Sequence, residues 1–320
     1  MGVTGLFEFL NAKRSHSHIE TLAGTRLGID GYVVLHRGAL TCARELASGV
    51  PTTAYLHEVK RLLLMLRHYD IEPYFVFDGQ ALPAKANVTR RRMAVREEAI
   101  LRAATLEKKG DKRASAVAYK ASVVVTTQMV TQTIKILRAA GIPYLVAPYE
   151  ADAQLAFLDR VGLIDAVYSE DSDLVVFGVQ KLVCKLQDDG ACAIVRHADL
   201  SVSHSHLRLM ALLAGCDYTR GLPGVGLATA HKVANQFPVI STYIKRRFTN
   251  TPELELFQRE MRLANAAFLF QTVFDPKTRA LISLNDLTDD VPWDDEVQAH
   301  VGRCVSDGYN RARAAAREGR

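Results

Sequence analysis

Leu27-Gly-Ile-Asp30-Gly-Tyr32-Val-Val-Leu-His36 is the stretch that decides the fold. A short apolar run passes straight into a carboxylate, and a helix-compatible segment follows. The same phrase recurs along the chain. Tyr74-Phe-Val-Phe-Asp78, Tyr144-Leu-Val-Ala-Pro-Tyr-Glu150 with Asp152 behind it, and Ala166-Val-Tyr-Ser-Glu-Asp171-Ser-Asp173 each carry an apolar run into acids. Residues 27–30, 74–78, 144–148, 166–170 and 182–186 therefore read as short buried strands. Helical patterns lie between them, clearest at 57–69 and present again at 129–140 and 151–160. This alternation predicts an α/β fold, a central mostly parallel sheet with flanking helices on both faces.

In an open sheet of this kind a ligand sits beyond the carboxyl ends of the strands. Acids far apart in sequence are then expected to meet there: Asp30, Asp78, Glu150, Asp152, Asp171 and Asp173, joined by Asp217 from a later helix end. Carboxylates gathered so densely repel one another, and divalent cations relieve that repulsion. The pattern points to a Mg²⁺-dependent site and to phosphate as the substrate group. Asp171 and Asp173 are two apart, so in an extended segment they point the same way. Glu150 and Asp152 follow Pro148 and open a helix, where first-turn acids also suit the helix dipole. For these two the plainer reading is a favourable helix start.

Bulk properties narrow the class. At 320 residues, 48% hydrophobic and 23% charged, the chain can hold one large ordered domain with an appendage. It has no apolar run near the ~18 residues that span a bilayer. Its start, Met1-Gly-Val-Thr-Gly-Leu6, lacks the basic-then-apolar order of a signal peptide, and Leu6 stands where a myristoylation signal carries Ser or Thr. Five scattered cysteines without a Cys-x-x-Cys argue for a reducing compartment and against a zinc site. The net charge of +5 is unevenly placed. Between Lys85 and Lys120 eleven basic residues face four acids, a net +7 that leaves the rest of the chain at −2. A basic segment beside an acidic metal centre suits a nucleic-acid enzyme.

From about residue 200 the character changes. Leu207 to Cys216 reads as a helix ended by Asp217-Tyr218. Gly221-Leu-Pro-Gly224-Val-Gly226 follows, then a second helix from Leu227 to Gln236. Such a turn offers backbone N–H groups at a helix N-terminus to a DNA phosphate. A bare connection between two helices is the competing reading. Residues 291–320, ending in an Arg/Ala-rich stretch with Arg311, Arg313, Arg317 and Arg320, are expected to pack loosely.

Together these motifs carry a resemblance. Met1-Gly-Val-Thr-Gly-Leu, Gly28-Ile-Asp30-Gly-Tyr-Val-Val-Leu-His36, Phe75-Val-Phe-Asp78-Gly-Gln-Ala-Leu-Pro-Ala-Lys85, Ala147-Pro-Tyr-Glu-Ala-Asp-Ala-Gln-Leu-Ala156, Ser169-Glu-Asp-Ser-Asp173 and Gly215-Cys-Asp217-Tyr stand in an order similar to the structure-specific 5′ nucleases of the flap-endonuclease superfamily. The 147–156 wording resembles its exonuclease branch.

The resemblance implies a PIN-like 5′ nuclease core over residues 1–200 with a helical arch at about 80–130. It further implies a helix–two-turn–helix DNA-binding module at 201–290 that completes the active site. The implied activity is 5′→3′ exonuclease action on double-stranded DNA with 5′-flap endonuclease activity, through two-metal hydrolysis, in mismatch repair and end resection in the nucleus. The rival readings are a flap endonuclease with little exonuclease action and a non-catalytic junction- or nick-binding protein. Two Mg²⁺ ions are implied, with Mn²⁺ able to substitute. Asp152, Asp171, Asp173 and Asp217 are the expected direct ligands, and Asp30, Asp78 and Glu150 are expected to act through water. A K⁺ site at the 221–226 turn is implied too, although Gly221 stands where relatives often carry a serine ligand.

Lys85 and Arg92, seven residues apart and so on one helix face, are implied to contact the reacting phosphate. Gly2, Tyr32, His36, Arg90, Arg91, Arg96, Gly224 and Gly226 are the expected DNA contacts. Against this stand a solvated basic face for the arginines, and a half-buried tyrosine with a surface histidine for Tyr32 and His36. His16, His18, His204 and His206 read as surface residues. Expected partners are duplex DNA with 5′ ends, nicks, gaps or flaps, and mismatch-repair proteins; the chain is expected to be a monomer.

Overall fold

Seven short strands form one sheet in the computed structural model, which describes residues 2–3, 5–10, 14–236, 243, 244, 246, 251–287 and 292–302. They are β1 (Arg14–His18), β2 (Arg26–Asp30), β3 (Glu72–Phe77), β4 (Tyr144–Val146), β5 (Ala166–Tyr168), β6 (Lys181–Cys184) and β7 (Ala191–Arg196). Their order is β1-β7-β6-β5-β2-β3-β4. The five strands from β6 to β4 run parallel, and β7 and then β1 add antiparallel at one edge.

The parallel strands are apolar because both faces are covered. Successive side chains alternate between two cores. Ile29, Phe75, Phe77, Tyr168 and Val183 join one core, while Val76, Val167 and Leu182 join the other. The first core is closed by α2 (Gly31–Ala39), α4 (Leu56–His68) and α7 (Thr127–Ala139), through residues such as Leu35, Leu62 and Leu137. The second is closed by α8 (Ala151–Arg160), α9 (Asp173–Phe177) and α10 (His204–Ala214), through residues such as Leu155, Leu174 and Leu213.

From β2 the chain moves outward to β3 and β4, then returns to the other side of β2 with β5 and β6. The sheet therefore reverses its winding between β2 and β5, and the crevice beyond their carboxyl ends is the natural ligand site. Asp30 closes β2 and Asp171 follows β5, one on each side of that crevice.

Three further units surround it. The helices α5 (Ala86–Lys108) and α6 (Lys112–Ala121) pack together, with Ser115 Oγ donating to the Ala103 carbonyl at 3.0 Å. Ala103 is the single buried residue of α5, so this basic helix is solvated on most sides. Next, α11 (Leu227–Gln236) packs on α10 across the glycine turn. Last come α12 (Thr251–Leu269), the antiparallel hairpin of β8 (Thr272–Asp275) and β9 (Ala280–Ser283), and α13 (Asp295–Val301). Val297 and Val301 are buried against Ala266 and Phe270, and Arg262 pairs with Asp294 at 2.5 Å. Within the stretch expected to pack loosely, Asp295–Val301 thus forms a docked helix; 303–320 lie outside the described residues. The helices α1 (Leu6–Phe9) and α3 (Ala43–Ala47) complete the fold. Cys42, Cys184, Cys192 and Cys216 form no disulfide, and no helix among the described residues is long and apolar enough to cross a membrane.

Candidate active site

All seven singled-out acids gather at the crevice, and most are held by a specific local device. Asp30 caps α2: its Oδ1 accepts from the backbone N–H groups of Tyr32 at 3.0 Å and Val33 at 3.3 Å. Its Oδ2 accepts from Ser169 Oγ at 2.9 Å, and Ser169 Oγ in turn accepts from Asp171 N at 3.1 Å. Ser169 thus ties the ends of β2 and β5 together. Asp78, just past β3, accepts from Ala151 N at 2.8 Å and so supports the start of α8. Asp152 lies buried in the first turn of that helix.

The expectation of an extended Asp171–Asp173 segment is corrected. β5 stops at Tyr168, and Asp173 begins α9. The backbone turns there because Asp171 Oδ1 accepts from Asp173 N at 3.0 Å, a local side-chain bond that competes with strand geometry. Asp173 is 0% exposed; its Oδ1 accepts from Val3 N at 2.9 Å, and its Oδ2 is buried with no hydrogen-bond partner. Gly2 lies against the same carboxylates. Its φ is +83°, and a Cβ there would fall 2.3 Å from Asp171 Oδ1 and 2.6 Å from Asp173 Oδ1.

Two cations face the acids. Lys85 Nζ lies 2.5 Å from Glu150 Oε1 and 3.3 Å from Asp217 Oδ2. Arg92 Nη2 donates to both Asp217 oxygens, at 2.9 and 3.0 Å. Two residues that the sequence reading missed complete this side. Tyr218 Oη donates to Glu150 Oε2 at 2.7 Å, and Gln271 Nε2 donates to that oxygen at 3.0 Å. Tyr218 had a signal, since it directly follows Asp217. Gln271 had none: it comes from the link between α12 and β8, 121 residues from Glu150.

The electrostatics follow from burial and crowding. Burial raises the Asp30 carboxyl to about 6, and the Asp171 charge adds to the effect. Burial raises the Asp78 carboxyl to about 7, and there the Asp30 charge adds. Burial, then the Asp171 carboxylate, pushes Asp152 and Asp173 well above the usual range. Burial alone would lower the Lys85 ammonium, but Glu150, Tyr218, Asp152 and Asp217 outweigh it and hold it charged.

These residues fit divalent cations. The donors are hard carboxylate oxygens, and the partnerless Asp173 Oδ2 has a free lone-pair site. Among the described residues no three His, Cys, Asp or Glu side chains form a ready-made ion cage. Lys85 and Arg92 engage Glu150 and Asp217 instead. Mg²⁺ tolerates such an open arrangement because it keeps several waters and takes few direct protein ligands.

The other candidates are spread around this centre. Tyr32 is half-buried, its phenol pushed up to about 12 by burial and by Asp78 and Asp30. His36 is exposed on α2 within electrostatic reach of Arg96 on α5. Arg90 and Arg91 are exposed on α5, and Gly224 and Gly226 are exposed in the turn before α11. Three of the histidines read as surface residues, His18, His204 and His206, are instead half-buried. His204 stacks on His197 with ring centroids 3.5 Å apart, and burial pushes it down to about 4; His206 meets His231 at 3.1 Å.

Known proteins resemble this chain in sequence and in fold. Residues 1–99 match the XPG N-terminal domain and residues 141–217 match the XPG I-region. Exodeoxyribonuclease 1 of Schizosaccharomyces pombe is 38% identical over 295 residues, covering 89% of this chain and 52% of that protein. Exonuclease 1 of Arabidopsis thaliana is 35% identical, covering 92% and 42%. The chain thus spans about half the length of these curated relatives or less. DNA damage-inducible protein DIN7 of Saccharomyces cerevisiae is 34% identical, covering 90% of this chain and 70% of that protein. Among solved structures, the catalytic core of Rad2 in complex with DNA substrate superposes with a TM-score of 0.62 at 20% identity, covering 94% of this chain and 86% of that one. Flap endonuclease-1 from Methanococcus jannaschii gives 0.52 at 17% identity, covering 96% and 95%. The shared fold is that of these 5′ nuclease cores, and with both XPG regions matched and DIN7 aligned over most of its length, the chain belongs to the XPG/flap-endonuclease superfamily, on its exonuclease 1 branch.

Proposed function

We propose that the chain is a divalent-metal-dependent 5′→3′ double-stranded DNA exonuclease that also cuts 5′ flaps. The observation that carries this reading is the meeting of seven carboxylates with Lys85 and Arg92 at the sheet's crevice. A module that only recognised DNA junctions would gain nothing from an acidic cluster that repels the phosphate backbone.

When bound, two Mg²⁺ ions, or Mn²⁺ in their place, would supply an activated water and neutralise the leaving 3′ oxygen. Asp152, Asp171, Asp173 and Asp217 are proposed as direct ligands, with Asp30, Asp78 and Glu150 acting through water. Lys85 and Arg92 would exchange their carboxylate partners for oxygens of the reacting phosphate, where negative charge develops. Gly2 brings the N-terminal backbone to Asp171 and Asp173 without a side chain in the way. Tyr32 and His36 would meet bases of the cleaved end, and Arg90, Arg91 and Arg96 the phosphate backbone. Gly224 and Gly226 would present N–H groups to the uncut duplex, with K⁺ held there by backbone carbonyls.

In domain terms, residues 1–200 form the nuclease core with the arch, and 201–290 the module that supplies Asp217. The substrates are duplexes with 5′ ends, nicks, gaps or flaps. A role in mismatch repair and end resection, with mismatch-repair proteins as partners, a nuclear location and a monomeric state belong to the same proposal. The test is a cleavage assay on 5′-recessed, nicked, blunt and 5′-flap DNA, with Mg²⁺ and with EDTA. Mg²⁺-dependent release of nucleotides from recessed and nicked 5′ ends is expected. Cleavage confined to the flap substrate would make the protein a flap endonuclease instead.

A further inference from the structure

Glu150 is gripped from three sides. Lys85 Nζ holds Oε1, while Tyr218 Oη and Gln271 Nε2 both donate to Oε2. Gln271 is 0% exposed, and its amide nitrogen lies 3.0 Å from each of Glu150 Oε2, Tyr218 Oη and the Ala267 carbonyl. Its own Oε1 is buried with no partner. A buried carbonyl without a hydrogen bond costs stability, so fold stability alone does not explain a glutamine here. Lys85 also sits over the Tyr218 ring, 5.3 Å from its centroid. Glu150 and Tyr218 therefore form one socket for the lysine ammonium, and Gln271 touches both of its walls.

The same socket is braced from the C-terminal side. α13 packs against the Pro83–Lys85 turn, and a Cβ on Gly302 would fall 2.3 Å from the Tyr149 ring, next to Glu150. Thr272 Oγ1 donates to the Gly302 carbonyl at 2.9 Å, tying the end of α13 to β8. The hairpin is in turn hooked to α8: Gln154 exchanges two 2.8 Å hydrogen bonds with the backbone of Phe274. Both segments that carry the lysine and its main carboxylate partner thus rest on β8, α13 and Gly302.

The geometry points to Gln271 as a positioning residue for catalysis: with Tyr218 it fixes Glu150, and through Glu150 it sets where Lys85 waits before meeting the phosphate. This rests on the proposed hydrolysis only in its consequence for rate. Residues 271–275 and 295–302 thereby belong to the catalytic apparatus.

The test compares Gln271→Met, Lys85→Ala and the double variant with the wild type. Methionine keeps the volume and removes both the donor and the unpaired carbonyl, so the melting temperature should stay within about 3 °C. For Gln271→Met, kcat on a nicked duplex should fall about tenfold, with KM for DNA changed less than about twofold. In the Lys85→Ala background the same change should cost less than about twofold, because the two residues act together. A second readout needs neither metal nor DNA: acylation of the Lys85 amine by an amine-reactive ester, followed by peptide mass spectrometry. Lys85 should label several-fold faster in Gln271→Met, with the other lysines unchanged. Equal labelling of Lys85 in the two proteins would overturn the inference, as would full additivity of the two substitutions in kcat. Absence of Mg²⁺-dependent cleavage by the wild type would instead refute the hydrolysis reading, and the labelling result would still decide the socket.

Discussion

Burial of so many carboxylates leaves a signature in how stability changes with pH. The Asp30 and Asp78 carboxyls are raised from 3.8 to about 6 and about 7, chiefly by burial. Their folded pKa values exceed the unfolded ones, so between those values the folded state binds more protons than the unfolded state. Stability of the metal-free protein must then fall as pH rises through that window, by up to roughly 1.4 kcal/mol per pH increment of one for each group. The melting temperature in EDTA is expected to drop between about pH 4 and about pH 7. Mg²⁺ should restore most of the loss, because it binds the ionised carboxylates that the bare fold disfavours. A flat EDTA profile, or one rising with pH, would show that burial does not disfavour the charged form of these acids. Single residues also mark what was legible in the sequence. The acids could be read because each ends a recognisable local pattern. Gln271 could not, because its position beside Glu150 comes from tertiary packing across 121 residues.

The turn between α10 and α11 shows how close backbone packing decides which residue an element can hold. Gly221 has φ +70°, and a Cβ there would lie 2.4 Å from Gly215 N and 2.6 Å from the Leu213 carbonyl. These are backbone atoms, so the neighbours cannot swing away. A serine at this position does not fit this version of the turn. Gly221→Ser is expected to cost on the order of 2–4 kcal/mol in urea unfolding. An unchanged midpoint would mean that the turn relaxes freely and could accept a side-chain K⁺ ligand. Among the elements, the five parallel strands were legible because burial on both faces makes them continuous apolar runs. α8 was legible to the residue, as was the start of α11. β1 was not: Arg14-Ser-His-Ser-His has no apolar face, and it becomes a strand only by pairing with β7 at the sheet edge. The β8–β9 hairpin and α13 were missed for a related reason, since short segments acquire their form from what they dock against.

At the scale of the whole molecule, the site is a seam. The sheet supplies Asp30, Asp78 and Asp171, the starts of α8 and α9 supply Asp152 and Asp173, and the end of α10 brings Asp217. The arch supplies Lys85 and Arg92, and the C-terminal unit supplies Gln271. Separate parts of the chain must therefore be in place together before the acids and cations take up their positions. Asp173 lies at the centre: fully buried, held by Val3 N, and left with one oxygen free. The most direct test is Asp173→Ala, assayed for cleavage and for binding of nicked duplex in Mg²⁺. The account predicts cleavage reduced by at least about a thousandfold with DNA affinity retained. Cleavage at the wild-type rate would contradict it.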